Sequence, residues 1–256
     1  MKKQSIYSLI VGFLVLFVLY HLAEYMIMFR NSAPGFLLMQ ALFFVAAYLI
    51  ARWQFGKGLA VWGLLKNKNL VKQILVGLCV GATIYGVTFY LSILSGAEHV
   101  VQVLDTSSIL KSYGLFVFGN FFSSFSEDIL TRGYVFSHAN QKMNEYIIIL
   151  LSATIYLFNH IYRLDDGWET YTYLFLLGIL LVIPLVKTGQ IWTTGCIHWA
   201  GNCTFYFTHE VIKSSPGNGI ISPNMILSGV MIIFIYVFYF FFKKFQRWLS
   251  VIHYQV

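Results

Sequence analysis

Eight runs of apolar residues recur along this chain, each long enough to cross ~30 Å of hydrocarbon at ~1.5 Å per helical residue. They fall at about 5–29, 35–53, 70–95, 109–137, 144–163, 171–187, 190–209 and 222–243. Hydrocarbon offers no partner to a backbone N–H or C=O, so runs of this kind cross as helices. The composition leaves little alternative. Of 256 residues, 58% are hydrophobic and 11% charged, more apolar surface than a soluble domain can hide. The expected fold is all-α, a polytopic integral membrane bundle of about eight transmembrane helices forming a single transmembrane domain over 1–256. No composition shift or fixed-period repeat marks a second domain. The first run outlasts a signal-peptide core and lacks a small-x-small cleavage site, so it is expected to remain as the first span.

Charge sets an expected orientation. With both termini cytoplasmic, thirteen of the seventeen basic residues fall inside or in the inner half of a span. Lys2, Lys3, Arg52, Lys57, Lys66, Lys68, Lys72, Lys142, Lys187, Lys243, Lys244 and Arg247 are among them. Most acids fall outside, including Glu98, Asp105, Asp165, Asp166, Glu169 and Glu210. The net charge of +7 therefore reads as topology and contact with anionic lipid. It is no nucleic-acid footprint, since no basic cluster is interleaved with aromatics on a polar surface.

The connectors carry less. Residues 52–73 form a basic connector, with Leu59, Val61, Trp62, Leu64 and Leu65 suited to the interface and Trp53 and Trp62 to headgroup level. Lys213 to Asn224 has plain turn chemistry, and Pro184 is expected to kink the sixth span. Cys79, Cys196 and Cys203 make no CxxC pair, and each reads as a small buried hydrophobe.

Three polar clusters break the apolar pattern: Glu127-Asp128-xxx-Arg132, Tyr156-xxx-His160 and His198-xxx-Asn202. Each charge costs about 2.5–3.5 kcal/mol at mid-bilayer on insertion scales, so three clusters in nearby spans suggest one site between helices. Asp128 and Arg132 share a helix face and can neutralise each other. Glu127 points about 100° away from Asp128, free to face a cavity and to take a proton from water. Tyr156 and His160 share a face, as do His198 and Asn202, and the last pair offers N–H donors toward one point. Gly195 and Gly201 flank that pair and permit close helix approach. Each cluster alone has a bland reading as a span end or as interhelical hydrogen bonding. If the fourth and fifth spans form a simple hairpin around 140–144 with that turn cytoplasmic, Glu127 and His160 lie at similar height in the outer half of the membrane. A shorter fourth span or a re-entrant turn would instead give a cytosol-facing site.

In order and spacing, the three motifs resemble those of the CAAX-processing and bacteriocin-processing (CPBP) family, which includes the type II CAAX prenyl endopeptidases. That pattern is Glu-Glu-xxx-Arg, Phe/Tyr-xxx-His and His-xxx-Asn/Asp on successive spans. Glu127, Arg132, Tyr156, His160, His198 and Asn202 fit it, and the resemblance covers about 110–210. One position departs: the second acid is Asp128, one methylene shorter than Glu.

The resemblance implies intramembrane peptide-bond hydrolysis. Local chemistry then suggests Glu127 as general base, His160 orienting the water or shuttling its proton, and His198 and Asn202 stabilising the oxyanion. Arg132, Asp128 and Tyr156 support them. Glu127, His160 and His198 could in principle ligate zinc, but without an HExxH spacing no metal or other cofactor is expected. The expected substrate is a short peptide or membrane-proximal tail, of CAAX, bacteriocin or pheromone type. A compact chain without a large soluble appendage points to a bacterial plasma membrane. Two other classes compete: a catalytically silent scaffold, regulator or immunity protein bound to a membrane partner, and a proton-coupled transporter. The latter lacks inverted repeats and paired broken helices.

Overall fold

A computed structural model describes residues 5–163 and 165–249, with side chains described as far as Phe240. Lys2 and Lys3, and the side chains of Lys243, Lys244 and Arg247, lie outside the described residues. The helices are α1 (Ile6–Met28), α2 (Ala33–Phe55), α3 (Leu70–Leu94), α4 (Thr106–Asp128), α5 (Tyr134–Ala139), α6 (Glu145–Asn159), α7 (Trp168–Thr188), α8 (Trp192–Tyr206) and α9 (Pro223–Leu249). A π-helical turn, Ile129–Gly133, joins α4 to α5, so the two make one rod. A second π-turn, Phe207–Val211, extends α8. Among the described residues the helices thus form eight rods, close to the expected spans. The chain is an all-α integral membrane protein.

Among the described residues, five helices are long and apolar enough to cross a membrane: α1, α2, α3, α7 and the Pro223–Phe240 part of α9. The remaining three rods, α4–α5, α6 and α8, each carry one of the polar clusters. The rods that read least clearly as membrane spans are therefore those that meet around polar groups.

The fifth rod is shorter than expected. α6 has 15 residues and rises about 22 Å, less than the ~30 Å hydrocarbon core. It starts where Asn144 caps it by accepting from the Ile147 N–H. It ends at His160, whose φ of −84° and ψ of 53° leave the helix, and a 3₁₀ turn Ile161–Arg163 follows. His160 is thus a helix terminus rather than a helical position within a span reaching 163. α6 and α7 pair as a hairpin, clasped by Glu145 in the first turn of α6 and Lys187 in the last turn of α7 at 2.6 Å.

Connectors hold three further departures. Residues Leu59–Trp62 form a 3₁₀ turn tucked into the bundle, and Trp62 is fully buried there instead of lying on the surface. Its indole N–H donates to the Ala47 carbonyl, and its ring stacks on Tyr134. Buried as it is, the indole gains more from an intramolecular carbonyl than an interfacial ring would from water. Trp53 remains exposed. Residues Ser214–Pro216, expected as plain turn, pair antiparallel with Glu98–Val100 as strands β2 and β1. His209 Nε2 lies 2.8 Å from Glu98 Oε1 and ties that pair to the end of α8. Among the cysteines, Cys196 and Cys203 are buried, but Cys79 is exposed on α3. Pro184 lies inside α7.

One side of the bundle is set by hydrogen bonds near the start of α1. Gln54 Nε2 donates to the Ser8 carbonyl at 2.7 Å and to Tyr134 Oη at 3.1 Å, and Tyr134 donates to the Leu9 carbonyl at 2.7 Å. Helices α3 and α8 approach closely because two glycines line their seam. A Cβ on Gly77 would stand 2.5 Å from Cys196 Cβ, and one on Gly81 would stand 2.3 Å from the Ile197 carbonyl oxygen. Backbone cannot yield there, so a side chain has to push α8 away. Gly81→Val should lower stability by about 1–3 kcal/mol, read as the thermal midpoint in detergent. Gly86→Ala, with nothing within 4 Å of its Cβ position, should leave the midpoint unchanged or slightly raised.

Candidate active site

The α4 rod brings Glu127, Asp128 and Arg132 to the bundle centre, where Glu127 is 4% exposed and the other two are fully buried. The π-turn begins one residue after Asp128 and carries Arg132. Such turns re-aim the side chains around them and often mark functional positions. Here Arg132 Nη1 donates to Asp128 Oδ1 and, at 2.9 Å, to Thr131 Oγ1. Thr131 in turn donates to the Glu127 carbonyl at 2.7 Å. The guanidinium carbon stands 4.3 Å from the Tyr156 ring centroid, a cation–π contact. An aromatic face thus covers a cation that no water reaches.

Glu127 faces away from this pair, as the offset along the helix requires. Its Oε1 accepts from Asn159 Nδ2 at 3.0 Å and lies 3.8 Å from His160 Nε2. Its Oε2 lies 3.6 Å from His198 Nε2. The two histidines come from the end of α6 and the middle of α8, so three helices converge on one carboxylate.

Each imidazole is oriented through its other nitrogen. His198 Nδ1 lies 3.2 Å from Asp128 Oδ1, and His160 Nδ1 lies 2.9 Å from the Tyr156 carbonyl. Both partners are acceptors, so each Nδ1 carries the proton. The neutral ring then presents a bare Nε2 to Glu127, and only the imidazolium presents an Nε2–H. The Tyr156 ring packs edge-on to both, at 4.6 Å from His160 and 6.1 Å from His198.

Asn202 sits one turn beyond His198 on α8. Its Nδ2 donates to Asn120 Oδ1 at 3.4 Å, across the α4–α8 seam, and its recorded hydrogen bond is not to Glu127 or the histidines. The structure therefore brings Glu127, His160 and His198 together, with Asp128, Arg132 and Tyr156 behind them, and places Asn202 next along the same seam. Gly195 lets Phe125 pack against α8 beside the site, where a Cβ would be 2.6 Å from the ring.

Two members were not picked out by motif. Asn159 adjoins His160, and its amide type beside a motif histidine is the signal that could have marked it. Asn120 lies about two turns before Glu127 on the same helix face and reads from sequence as ordinary interhelical glue.

Seven residues of helix separate Glu127 from Tyr134, about 10 Å. Since Tyr134 bonds Leu9 in the second turn of α1, Glu127 is level with the middle of α1. α6 stops at the site instead of passing it. At that terminus the His160 side chain is 18% exposed.

For zinc, the donor set does not fit. Among the described residues no three His, Cys, Asp or Glu side chains group as a metal site.

Residues 109–204, from the first turn of α4 to the last of α8, match the family model described as type II CAAX prenyl endopeptidase Rce1-like. This segment is an Rce1-like domain. It holds every residue of the three motifs together with Asn159. No curated protein matches the chain.

The buried pair in the Rce1-like domain makes a stability prediction. Arg132→Leu leaves the Asp128 carboxylate buried without its counter-charge and should cost about 3–5 kcal/mol of stability. Combining it with Asp128→Asn should return most of that loss. A thermal unfolding cycle in detergent over the four proteins reads the coupling, and additive losses would contradict the pairing.

Proposed function

We propose that the protein is an intramembrane endopeptidase of CAAX type, in which Glu127 activates water against a peptide bond. The observation that carries this reading is Glu127 held between two imidazoles from different helices. At 3.8 and 3.6 Å both Nε2 atoms stand just beyond hydrogen-bond distance of the carboxylate, close enough for each to contact a water that Glu127 holds.

The chemistry follows from which atoms can give and take protons. A water at Glu127 gives one proton to the carboxylate while its other O–H donates to His160 Nε2. Its oxygen attacks the scissile carbonyl carbon and forms the new C–O bond. The carbonyl oxygen becomes an oxyanion facing α8. There His198, as imidazolium held by Asp128, donates Nε2–H, and Asn202 donates the amide N–H that Asn120 does not occupy. Collapse breaks the C–N bond, and Glu127 returns its proton to the leaving amine. Asp128 thus acts through His198 as well as through Arg132. The shorter side chain in place of Glu reaches both partners.

The substrate belonging to this reading is a membrane-held peptide tail with a prenylated cysteine, the class that the family description names. It reaches the centre past the end of α6, where the site is partly open. The same reading puts the protein in a bacterial plasma membrane with both termini cytoplasmic. Arg52, Lys57, Lys66, Lys142 and Lys187 fit that side, since they flank the helix ends gathered near the start of α1.

The test uses the purified protein in proteoliposomes and an internally quenched peptide ending in a farnesylated CAAX tail. Glu127→Ala should lower turnover at least ~10³-fold and His160→Ala about 10²–10⁴-fold. Asn202→Ala should cost about 10²–10³-fold, as loss of one oxyanion donor does. A metal chelator should leave the wild-type rate unchanged. Equal cleavage by wild type and Glu127→Ala at equal expression would refute the reading. Absence of cleavage in both, with a cellular phenotype that survives Glu127→Ala and His198→Ala, would favour a scaffold.

A further inference from the structure

Asn159 ends α6 with 3% of its surface exposed, and its side chain reaches across to α4. Its Nδ2 stands 3.0 Å from Glu127 Oε1. A carboxylate only accepts, so the amide turns its N–H to Glu127. Its own Oδ1 is buried with no hydrogen-bond partner among the described residues. The side chain is thus committed to a single contact. Helix-end packing alone would not select an amide here, since a Leu fills similar space without leaving an acceptor unpaired.

The next residue, His160, approaches the same oxygen at 3.8 Å after the backbone has left the helix. Consecutive residues at one helix terminus therefore fix where Oε1 lies, which leaves Oε2 toward His198. A glutamate side chain has three rotatable bonds and would otherwise sample several rotamers in a cavity that must admit substrate.

We infer that Asn159 is a positioning residue of the catalytic base, holding Glu127 Oε1 so that the carboxylate keeps one orientation between His160 and His198. This rests on the reading of Glu127 as the base. Asn159 acts on the reacting water only through Glu127. Its removal should slow turnover without weakening substrate binding, because misplacement of a base by about 1 Å can cost ~10²-fold.

The experiment compares Asn159→Leu, which keeps volume and removes the donor, with Asn159→Gln, which keeps the donor on a longer arm. With the farnesylated CAAX-tail peptide, Asn159→Leu should lose about 30-fold or more in kcat with KM within about twofold. Asn159→Gln should be at least ~10-fold faster than Asn159→Leu, and both should keep the wild-type thermal midpoint within a few degrees. A wild-type kcat in Asn159→Leu, or Asn159→Gln no faster than Asn159→Leu, would overturn the inference.

A second readout needs no activity. The infrared carboxylate band of Glu127, isolated as the difference between wild type and Glu127→Gln, should move in Asn159→Leu as the hydrogen bond is lost. An unmoved band overturns the inference. Wild type and Glu127→Gln cleaving the peptide alike overturns instead the reading of Glu127 as base, while the band still reports on the contact.

Discussion

A guanidinium and a carboxylate one turn apart, both without solvent, hold the centre of this bundle. Either charge alone would be expelled from the bilayer or would unfold the rod that carries it. Together, Arg132 and Asp128 neutralise each other. Asp128 Oδ1 orients His198, and Arg132 lies against the Tyr156 ring, which packs on both histidines. One ion pair thus couples α4, α6 and α8. Glu127, the neighbouring acid, can then face the interior because its helix is already fixed by its neighbours.

The architecture serves that centre by division of labour. Five rods are apolar enough to face lipid along their length. The other three, among them the apolar but short α6, supply the polar side chains. Glycines on α3 let it press against α8 so that the polar rods are covered on that flank. The shortness of α6 is part of the same arrangement. A full-length helix would carry His160 within a regular span, its ring on a helical face and its backbone sealed. Stopping at Asn159 leaves a helix terminus beside Glu127, where the His160 side chain is partly exposed.

Much of this was legible in the chain because bilayer physics is one-dimensional. Apolar runs of sufficient length mark the rods, and a polar residue inside one has to be paired or used. So the spans, the Asp128–Arg132 pairing and the convergence of Glu127, His160 and His198 followed from spacing. What depended on backbone deviations did not. The π-turn at Ile129–Gly133, the early end of α6 and the β1–β2 pairing leave no periodic signal. Trp62 was misplaced because an amphipathic connector looks the same whether it lies on headgroups or folds into the bundle. Asn159 went unseen because a polar residue next to a histidine adds little to a pattern already counted. Asn202 matched a motif, yet its amide bonds Asn120, so its distance from the base had to come from the fold.

The account turns on Glu127 acting on water rather than attacking the peptide itself. A single turnover in H₂¹⁸O, with enzyme in excess over the farnesylated peptide, separates the two by mass. Base catalysis predicts one ¹⁸O in the new carboxylate of the product and none in the proteolytic fragment containing Glu127. Label in that fragment would mean an acyl anhydride on Glu127 and would contradict the mechanism at its centre.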